Sequence, residues 1–239
     1  MENKEHYIIG AHNAWSYLPV RKWWMKPFRF MAKCQSVNIR SQYFFHGVRC
    51  FDLRIAFDEN DKMLVRHGMV VYEYTEEDLF KDLTFLNDKT ETCYIRVLNE
   101  VRNKKKYTPH EIEEFQTFCE KLEKKFPRLK FWCGRNLVNW DVDYKFKNEP
   151  TCDEKYSSVC PPKIIDDWFP WLYARLNNRK IRREGTDKNI LLIDFVNFYW
   201  KNLDISEKRY IFVEKLRNKR IWCNGCTCHN PVSKSGSTP

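Results

Sequence analysis

The chain has 239 residues, of which 43% are hydrophobic, and a formal net charge of +10 at pH 7. A chain of this length can bury one sizeable core, which predicts a single domain. The sequence has no long uncharged apolar run and no recognisable signal peptide, so we expect neither a membrane-spanning helix nor an export signal. A cytoplasmic or peripheral membrane location is therefore expected, or secretion if a signal peptide has been removed.

The positive charge favours polyanionic partners, which are anionic lipid surfaces or nucleic acid. The sequence shows no zinc-finger spacing, aromatic RNA-binding signature or basic region beside a heptad repeat, so we expect no nucleic acid partner. A basic surface of solvated lysines, without any polyanionic partner, is the alternative interpretation.

Short apolar runs alternate with helical segments along the chain. The runs that predict strands lie at residues 7–10, 48–57, 63–65, 94–98, 130–132, 137–138 and 189–195. Thr75 and Thr108 each precede a carboxylate by three residues, which predicts the start of a helix, and Asp204 opens a last predicted helix. Residues 139–162 are polar and irregular, which predicts long loops. The alternation of strands and helices favours a parallel sheet, either closed or open.

Cysteines are frequent, with ten in the chain. Five lie among apolar residues of predicted strands and helices, as buried free thiols do, and we expect reduced thiols. These five are Cys34, Cys50, Cys93, Cys119 and Cys133. We predict a catalytic domain over residues 1–222 and a flexible, cysteine-rich tail over residues 223–239. The tail crowds Cys223, Cys226, Cys228 and His229 together, whereas structural zinc sites usually draw ligand pairs from separated segments, so an unstructured tail is favoured over a zinc site.

Polar residues follow or interrupt the predicted strands. They are His12 and Asn13 after the first strand, Asp52 and Arg54 two apart on the second, His67 after the third, Glu100 after the fourth, and Asp194 in the last. In a parallel barrel such positions meet at one mouth, and residues two apart on a strand share a face. A lone histidine is more often structural, but this combination supplies a base, an acid, a cation and carboxylates, which are the groups that act on a phosphodiester.

Four motifs in the chain carry a more specific signal. They are Gly-Ala-His-Asn at residues 10–13, Phe-Phe-His-Gly-Val-Arg-Cys-Phe-Asp-Leu-Arg at 44–54, Arg-His-Gly at 66–68 followed by Tyr-Thr-Glu-Glu-Asp-Leu at 74–79, and Ile-Asp-Phe-Val-Asn at 193–197. In order and spacing they resemble the bacterial phosphatidylinositol-specific phospholipases C of the X-domain type, over residues 8–199. The resemblance implies a distorted TIM barrel, which is an α/β fold.

The resemblance also implies a reaction, in which the inositol 2-hydroxyl attacks phosphorus and releases diacylglycerol and a cyclic inositol phosphate. It implies that His12 is the general base and His67 the general acid, and that Arg54 contacts the phosphate. Asp52 corresponds to the carboxylate beside that arginine, and Asp194 to the aspartate that orients the base.

Further residues are expected to contact the substrate or the membrane. Glu154 and Tyr156 resemble the inositol-contacting acid and stacking tyrosine of the family, and Glu100 is grouped with them as a substrate-binding residue. Trp23 and Trp24, interleaved with cations, resemble an interfacial helix that contacts the membrane; a core-packed aromatic cluster is the alternative. A phospholipid substrate, a peripheral membrane surface and a monomer are expected.

The chain departs from the bacterial pattern at Asn13, where those enzymes usually carry an aspartate that supports the acid histidine. Calcium-dependent eukaryotic relatives carry asparagine there as a metal ligand, so Asn13, Asp52 and Glu100 could supply oxygen ligands to calcium. Arg54 brings a positive charge into the same pocket, so we expect no cofactor and no metal. The alternatives are a calcium-assisted variant and a catalytically impaired barrel that binds phosphoinositides.

Overall fold

A computed structural model describes residues 8–100, 108–133, 144–147, 149–150, 153–156, 169–178 and 189–199, the segment 153–156 by its backbone. These residues belong to one compact unit. The strand predicted at 137–138, the helix predicted after Asp204 and the domain boundary predicted at residue 222 lie outside them.

The strands of the described segments form one sheet. They are β1 (Ile8–Ala11), β2 (Cys50–Phe57), β3 (Met63–His67), β4 (Val70–Val71), β5 (Tyr94–Asn99), β6 (Lys130–Trp132), β7 (Asp153–Tyr156) and β8 (Asn189–Ile193). Six of them run parallel in the order β7-β8-β1-β2-β5-β6. Strand β3 pairs antiparallel with β2, and β4 pairs antiparallel with β3. Within the part of the chain that the structure describes, β6 and β7 do not pair, so the sheet is open there.

Helices fill the connections between the strands. They are a 3-10 helix (Trp23–Phe28), α1 (Arg29–Ala32), α2 (Ile39–His46), α3 (Glu76–Asn87), α4 (Pro109–Lys125), α5 (Pro170–Asn177) and α6 (Val196–Tyr199). Both predicted helix starts are confirmed: the Thr75 hydroxyl accepts a hydrogen bond from the backbone N–H of Asp78, and Thr108 forms a capping box with Glu111. No helix among the described residues has the length and apolar content that crossing a membrane requires.

The core forms between the sheet and the helices. Every residue of β2 except its last is buried, which explains the near-continuous apolar run of that strand. Helix α3 buries Leu79, Leu83 and Leu86. Helix α4 buries Phe115, Cys119 and Leu122 against the same core. The five cysteines predicted to be buried free thiols are confirmed as such.

The length of β2 positions the site. Strand β1 pairs only with the first residues of β2, since Gly10 lies opposite Cys50 and Ala11 opposite Phe51. Beyond the end of β1, the last three residues of β2 pair instead with β3, which runs back toward the barrel mouth. The end of β3 at His67 is therefore brought next to the residue that follows β1.

Two predictions of local structure are wrong. The long loops predicted over residues 139–162 include β7, which pairs in parallel register with β8. Strand β3, which was placed in a parallel alternation, is antiparallel to β2 and continues into the short strand β4. The sequence Asp-Glu-Lys-Tyr of β7 has no apolar run, so this strand could not be predicted from an apolar pattern. It forms through backbone pairing with β8.

Candidate active site

His12 and Asp194 meet because their strands are neighbours. Ala11 lies opposite Ile193 in the parallel pairing of β1 with β8, so the residues that follow both strands are side by side. His12 Nδ1 is 2.7 Å from Asp194 Oδ1, and both side chains are buried. Because a carboxylate can only accept a hydrogen bond, Nδ1 carries the ring proton and donates the hydrogen bond to Asp194.

Arg54 fixes the other nitrogen of the same ring. Its Nη2 lies 2.5 Å from His12 Nε2. A guanidinium has donors and no acceptor, so Nε2 must accept this hydrogen bond through its lone pair. His12 is therefore a neutral imidazole with its basic nitrogen directed at Arg54, which is the protonation state that a general base requires.

Carboxylates surround the guanidinium of Arg54. Its Nε donates to Asp52 Oδ2 at 3.0 Å, and its Nη1 donates to Glu100 Oε2 at 3.4 Å. Asp52 also accepts from Arg96 Nη1 at 2.9 Å and from the backbone N–H of Asn13 at 2.9 Å. The predicted shared face of Asp52 and Arg54 is confirmed, and Arg96 joins them because it lies opposite Asp52 in the pairing of β2 with β5.

These contacts determine the charge states of the buried groups. Burial alone would raise the pKa of Asp52, but Arg54 and Arg96 outweigh it and hold that pKa well below its ordinary value. Burial likewise opposes the charge of Arg54, whereas Asp52 and Glu100 favour it and raise its pKa. The pair therefore remains ionised at neutral pH.

His67, the last residue of β3, lies next to His12. Its ring is perpendicular to that of His12, with 6.0 Å between the ring centroids. Its Nδ1 donates to the carbonyl oxygen of Ala32 at 2.9 Å, and the Tyr72 hydroxyl donates to the same oxygen at 2.9 Å. Burial lowers the pKa of His67 below its ordinary value. Glu100 ties the turn after His67 to the site, because it accepts a hydrogen bond from the backbone N–H of Gly68.

Asn13 contacts the site through its backbone. Its φ of 44° lies in the left-handed region, and its N–H points at Asp52. Both polar atoms of its side chain are buried and find no hydrogen-bond partner among the described residues. The support expected for His67 at this position comes instead from the Ala32 carbonyl.

The remaining predicted residues lie elsewhere. Glu154 and Tyr156 are on β7, opposite Ile190 and Leu192 of β8. Trp23 and Trp24 are on the 3-10 helix and are 79% and 48% exposed, so a core-packed cluster does not describe them.

Sequence reasoning missed residues that position the site. Arg96 and Gln35 are fully buried, and Gln35 donates to the carbonyl oxygens of His12 and Ile193 at 3.0 and 2.9 Å. A cation inside the apolar run of β5 was a signal for Arg96, since a buried arginine needs a carboxylate partner. The carbonyl of Ala32 left no signal, because a main-chain acceptor is independent of residue type.

The calcium ligands considered from the sequence do not fit a metal ion. Two of them, Asp52 and Glu100, already accept hydrogen bonds from Arg54 at 3.0 and 3.4 Å. A guanidinium thus lies between the carboxylates, and a calcium ion there would have to displace a permanent positive charge.

Comparisons with known proteins identify the fold. The sequence matches no family model and no curated protein. The phosphatidylinositol-specific phospholipase C from Listeria monocytogenes is 15% identical, with a TM-score of 0.51 over 86% of this chain and 97% of that chain. A variant of the phosphatidylinositol-specific phospholipase C from Staphylococcus aureus is 15% identical, with a TM-score of 0.52 over 88% and 93%. A pentafluorophenylalanine-containing form of the Staphylococcus aureus protein is 16% identical, with a TM-score of 0.54 over 87% and 92%. These similarities confirm the predicted TIM-barrel-like α/β fold.

Removal of the buried partner of Asp52 is expected to destabilise the fold. Arg96→Met keeps most of the side-chain volume but leaves Asp52 Oδ1 without its guanidinium, which should lower the free energy of unfolding by about 3–5 kcal/mol at pH 7. Because Asp52 has a depressed pKa in the folded state, its contribution is present above its unfolded pKa and is lost as the pH falls through the folded value. The difference between wild type and variant should therefore narrow below about pH 4.

The measurement is urea unfolding followed by circular dichroism at several pH values. Arg40→Met is the matched control, because Arg40 is exposed and lies over the Phe85 ring at 4.7 Å. Its loss should cost no more than about 1 kcal/mol. Equal small losses in the two variants would contradict the ion network.

Proposed function

We propose that the protein is a phospholipase C that cleaves phosphatidylinositol, or a related phosphodiester lipid, to diacylglycerol and a cyclic inositol phosphate. One observation carries the proposal: His12, Arg54 and His67 converge at one mouth of the sheet, with the two imidazoles 6.0 Å apart. The fold shared with solved phosphatidylinositol-specific phospholipases C supports the same substrate class.

The first step of the proposed reaction uses His12 as general base. A phosphate oxygen of the lipid takes over the hydrogen bond from Arg54 Nη2, which frees the lone pair on His12 Nε2. That nitrogen then removes the proton from the inositol 2-hydroxyl as its oxygen attacks phosphorus. The Asp194 carboxylate, 2.7 Å from Nδ1, stabilises the imidazolium that forms.

His67 acts as the general acid in the same step. Its Nδ1 is committed to the Ala32 carbonyl, so its Nε2 delivers the proton to the glyceride oxygen as the bond from phosphorus breaks. Burial disfavours the protonated ring, but the anionic phosphodiester beside it restores the preference for imidazolium. The two rings exchange roles when water opens the cyclic product.

Arg54 is proposed to stabilise the charge on the phosphate without a metal. Its guanidinium is kept ionised by Asp52 and Glu100, and its Nη2 donates to a phosphate oxygen in a charge-assisted hydrogen bond. The guanidinium is already oriented before substrate binds, because its Nε and Nη1 donate to Asp52 of β2 and to Glu100 at the end of β5.

The inositol ring is proposed to lie toward β7. Glu154 and Tyr156 occupy alternate positions of that strand, beside the strand that leads to Asp194. Alternate positions of a strand lie on the same face of the sheet, and both residues are therefore proposed to contact the inositol.

Exposed apolar side chains near α1 are proposed to contact the lipid surface. Trp23 and Trp24 of the 3-10 helix are joined by a second group on α5, where Trp171 and Leu172 are 44% and 46% exposed. The two groups are continuous, because Phe30 of α1 stacks on the residue before α5 with 5.8 Å between the rings. Basic side chains lie among these apolar residues, and this mixture fits the headgroup level of an anionic membrane.

Substitution of either histidine is expected to abolish turnover. In His12→Ala and His67→Ala, production of diacylglycerol and cyclic inositol phosphate from phosphatidylinositol vesicles should fall by roughly 100-fold or more, because each loses one proton transfer. A substrate whose leaving atom is sulfur should restore activity to His67→Ala, since a thiolate leaves without a proton, and should not restore it to His12→Ala.

His110→Ala is the control for those variants, because His110 is exposed and pairs with Asp61. Near-normal activity in either site variant would rule out the assignment. Vesicle binding without turnover in the wild-type protein would favour the catalytically impaired phosphoinositide-binding barrel instead.

Removal of divalent ions is expected to leave the activity unchanged. Arg54 supplies the cation of the proposed site, so excess chelator should not lower the rate of cleavage and added calcium should not raise it. A rate that is lost with the chelator and restored by calcium would establish the calcium-assisted variant.

Removal of the two exposed indoles is expected to weaken membrane binding. Trp23→Ala/Trp24→Ala should raise the dissociation constant for anionic vesicles by about tenfold or more, as measured by vesicle sedimentation, because loss of about 1.4 kcal/mol of apolar burial suffices for that change. Lys124→Ala/Lys125→Ala removes two exposed cations of α4 and keeps the indoles, so it reports the contribution of charge alone. Unchanged sedimentation of the indole variant would remove the proposed anchor.

A further inference from the structure

A cysteine that the proposed reaction does not use lies between the two histidines. Cys34 is 2% exposed, and its Sγ is 3.8 Å from His67 Nδ1. One possible ligand atom from each of His12, Cys34 and Asp194 lies within 4.8 Å of the other two. Imidazole nitrogen, thiol sulfur and carboxylate oxygen thus come together in one buried place.

The three groups are ligand types that zinc prefers. Zinc binds nitrogen, sulfur and oxygen at about 2.0–2.3 Å, so its ligand atoms lie about 3–4 Å apart in a tetrahedral site. Here the His12 and Asp194 ligand atoms are 2.7 Å apart, and all three ligand atoms lie within 4.8 Å of one another. Small side-chain rotations would bring them to the zinc spacing. Three protein ligands leave a fourth position for water.

Hydrogen bonds fix the backbone of all three residues. The N–H of Cys34 donates to Ser16 Oγ at 2.9 Å, and its carbonyl accepts from the N–H of Phe195 at 2.6 Å. The carbonyl of Asp194 accepts from Asn178 Nδ2 at 2.7 Å, and the N–H of His12 donates to a carbonyl of β8 at 3.0 Å. Rigid support of this kind favours metal binding, because little conformational freedom is lost.

The charge of the surrounding network also favours a cation. The groups joined by hydrogen bonds around His12 comprise three carboxylates and two guanidinium groups, which are Asp52, Glu100, Asp194, Arg54 and Arg96. With a neutral imidazole and a neutral thiol, these five groups of the described residues sum to one negative charge in excess.

We propose that His12, Cys34 and Asp194 form a binding site for a thiophilic divalent cation of the zinc class, and that occupancy of this site inhibits the enzyme. The thiol proton of Cys34 passes to solvent as the sulfur–metal bond forms. As the metal binds Nδ1 of His12, the proton of that nitrogen moves to Nε2 and the hydrogen bond from Arg54 to Nε2 is broken, so the imidazole can no longer act as base. Binding itself is independent of the proposed function, and only the inhibition rests on it.

The binding test uses cobalt(II) as a spectroscopic probe of the full chain. Cobalt bound to a thiolate gives a sulfur-to-metal charge-transfer band in the near ultraviolet. The measurement is made in a background in which Cys223, Cys226 and Cys228 are changed to serine, so that the tail contributes no thiolate. We expect a band with one cobalt per chain that Zn²⁺ displaces, and that Cys34→Ser and Cys34→Ala both lose.

Cys93→Ser is the matched control, because Cys93 is also a buried free thiol. It should keep the band. A further group of metal-ligand residues at the surface, Asp61, His110 and Glu114, contains no thiol and cannot produce this signal. Circular dichroism confirms that each variant is folded. A band that persists without Cys34, or no band in the background protein, would overturn the site.

The inhibition test compares each protein with its own metal-free rate of phosphatidylinositol cleavage. The Zn²⁺ concentration for half inhibition should rise about tenfold or more in Cys34→Ser, since loss of even an outer partner of a metal ligand costs roughly 10–100-fold in affinity, and should be unchanged in Cys93→Ser. Equal inhibition of both variants would overturn the inhibitory role. Cobalt binding in a protein without any turnover would leave the site intact and refute the phospholipase proposal alone.

Discussion

The hydrogen bond from Arg54 to His12 is the interaction on which the chemistry of the site depends. An arginine can only donate, so its contact with Nε2 requires the lone pair there and places the ring proton on Nδ1, where Asp194 accepts it. One guanidinium thereby selects the tautomer of the base. The same guanidinium is retained in the barrel by Asp52 and Glu100, whose negative charges offset the cost of its burial.

The unequal lengths of neighbouring strands explain how a second histidine reaches this place. In a purely parallel barrel, neighbouring strands end side by side, and each contributes its own residue to the mouth. Here β2 extends beyond β1, and the hairpin to β3 folds back along the free edge of that extension. His67 is thus brought next to His12, with its ring perpendicular to that of His12 and 6.0 Å between the ring centroids.

The sequence predicted the parts of this arrangement that follow from strand period and strand ends. The spacing of Asp52 and Arg54 required a shared face, and the apolar run before Asp194 indicated a strand. The helix N-caps at Thr75 and Thr108 were predicted correctly because such caps depend on residues within one turn. These inferences needed only local geometry.

The features that the sequence did not predict depend on long-range backbone contacts. The partner of His67 is the main-chain carbonyl of Ala32, which any residue could supply, and β7 forms through pairing with β8 without an apolar pattern. The antiparallel direction of β3, by contrast, could have been predicted, because the connection over residues 58–62 is too short for the crossover that parallel strands need. Predicting the contact of Arg96 with Asp52 required the register of β2 against β5, and the sequence of either strand alone does not give that register.

The charge balance of the site gives a physical reason for the departure at Asn13. Among the described residues, the network around His12 has three carboxylates against two guanidinium groups, and the proposed substrate would add a further negative charge. An aspartate at position 13, fully buried and beside Asp52, would place a fourth carboxylate there and repel the phosphodiester. Asparagine avoids that repulsion, and the Ala32 carbonyl, which Tyr72 also fixes, orients His67 without adding charge. The neutral residue is thus compatible with an acid–base pair, because the orienting role has passed from a side chain to the backbone.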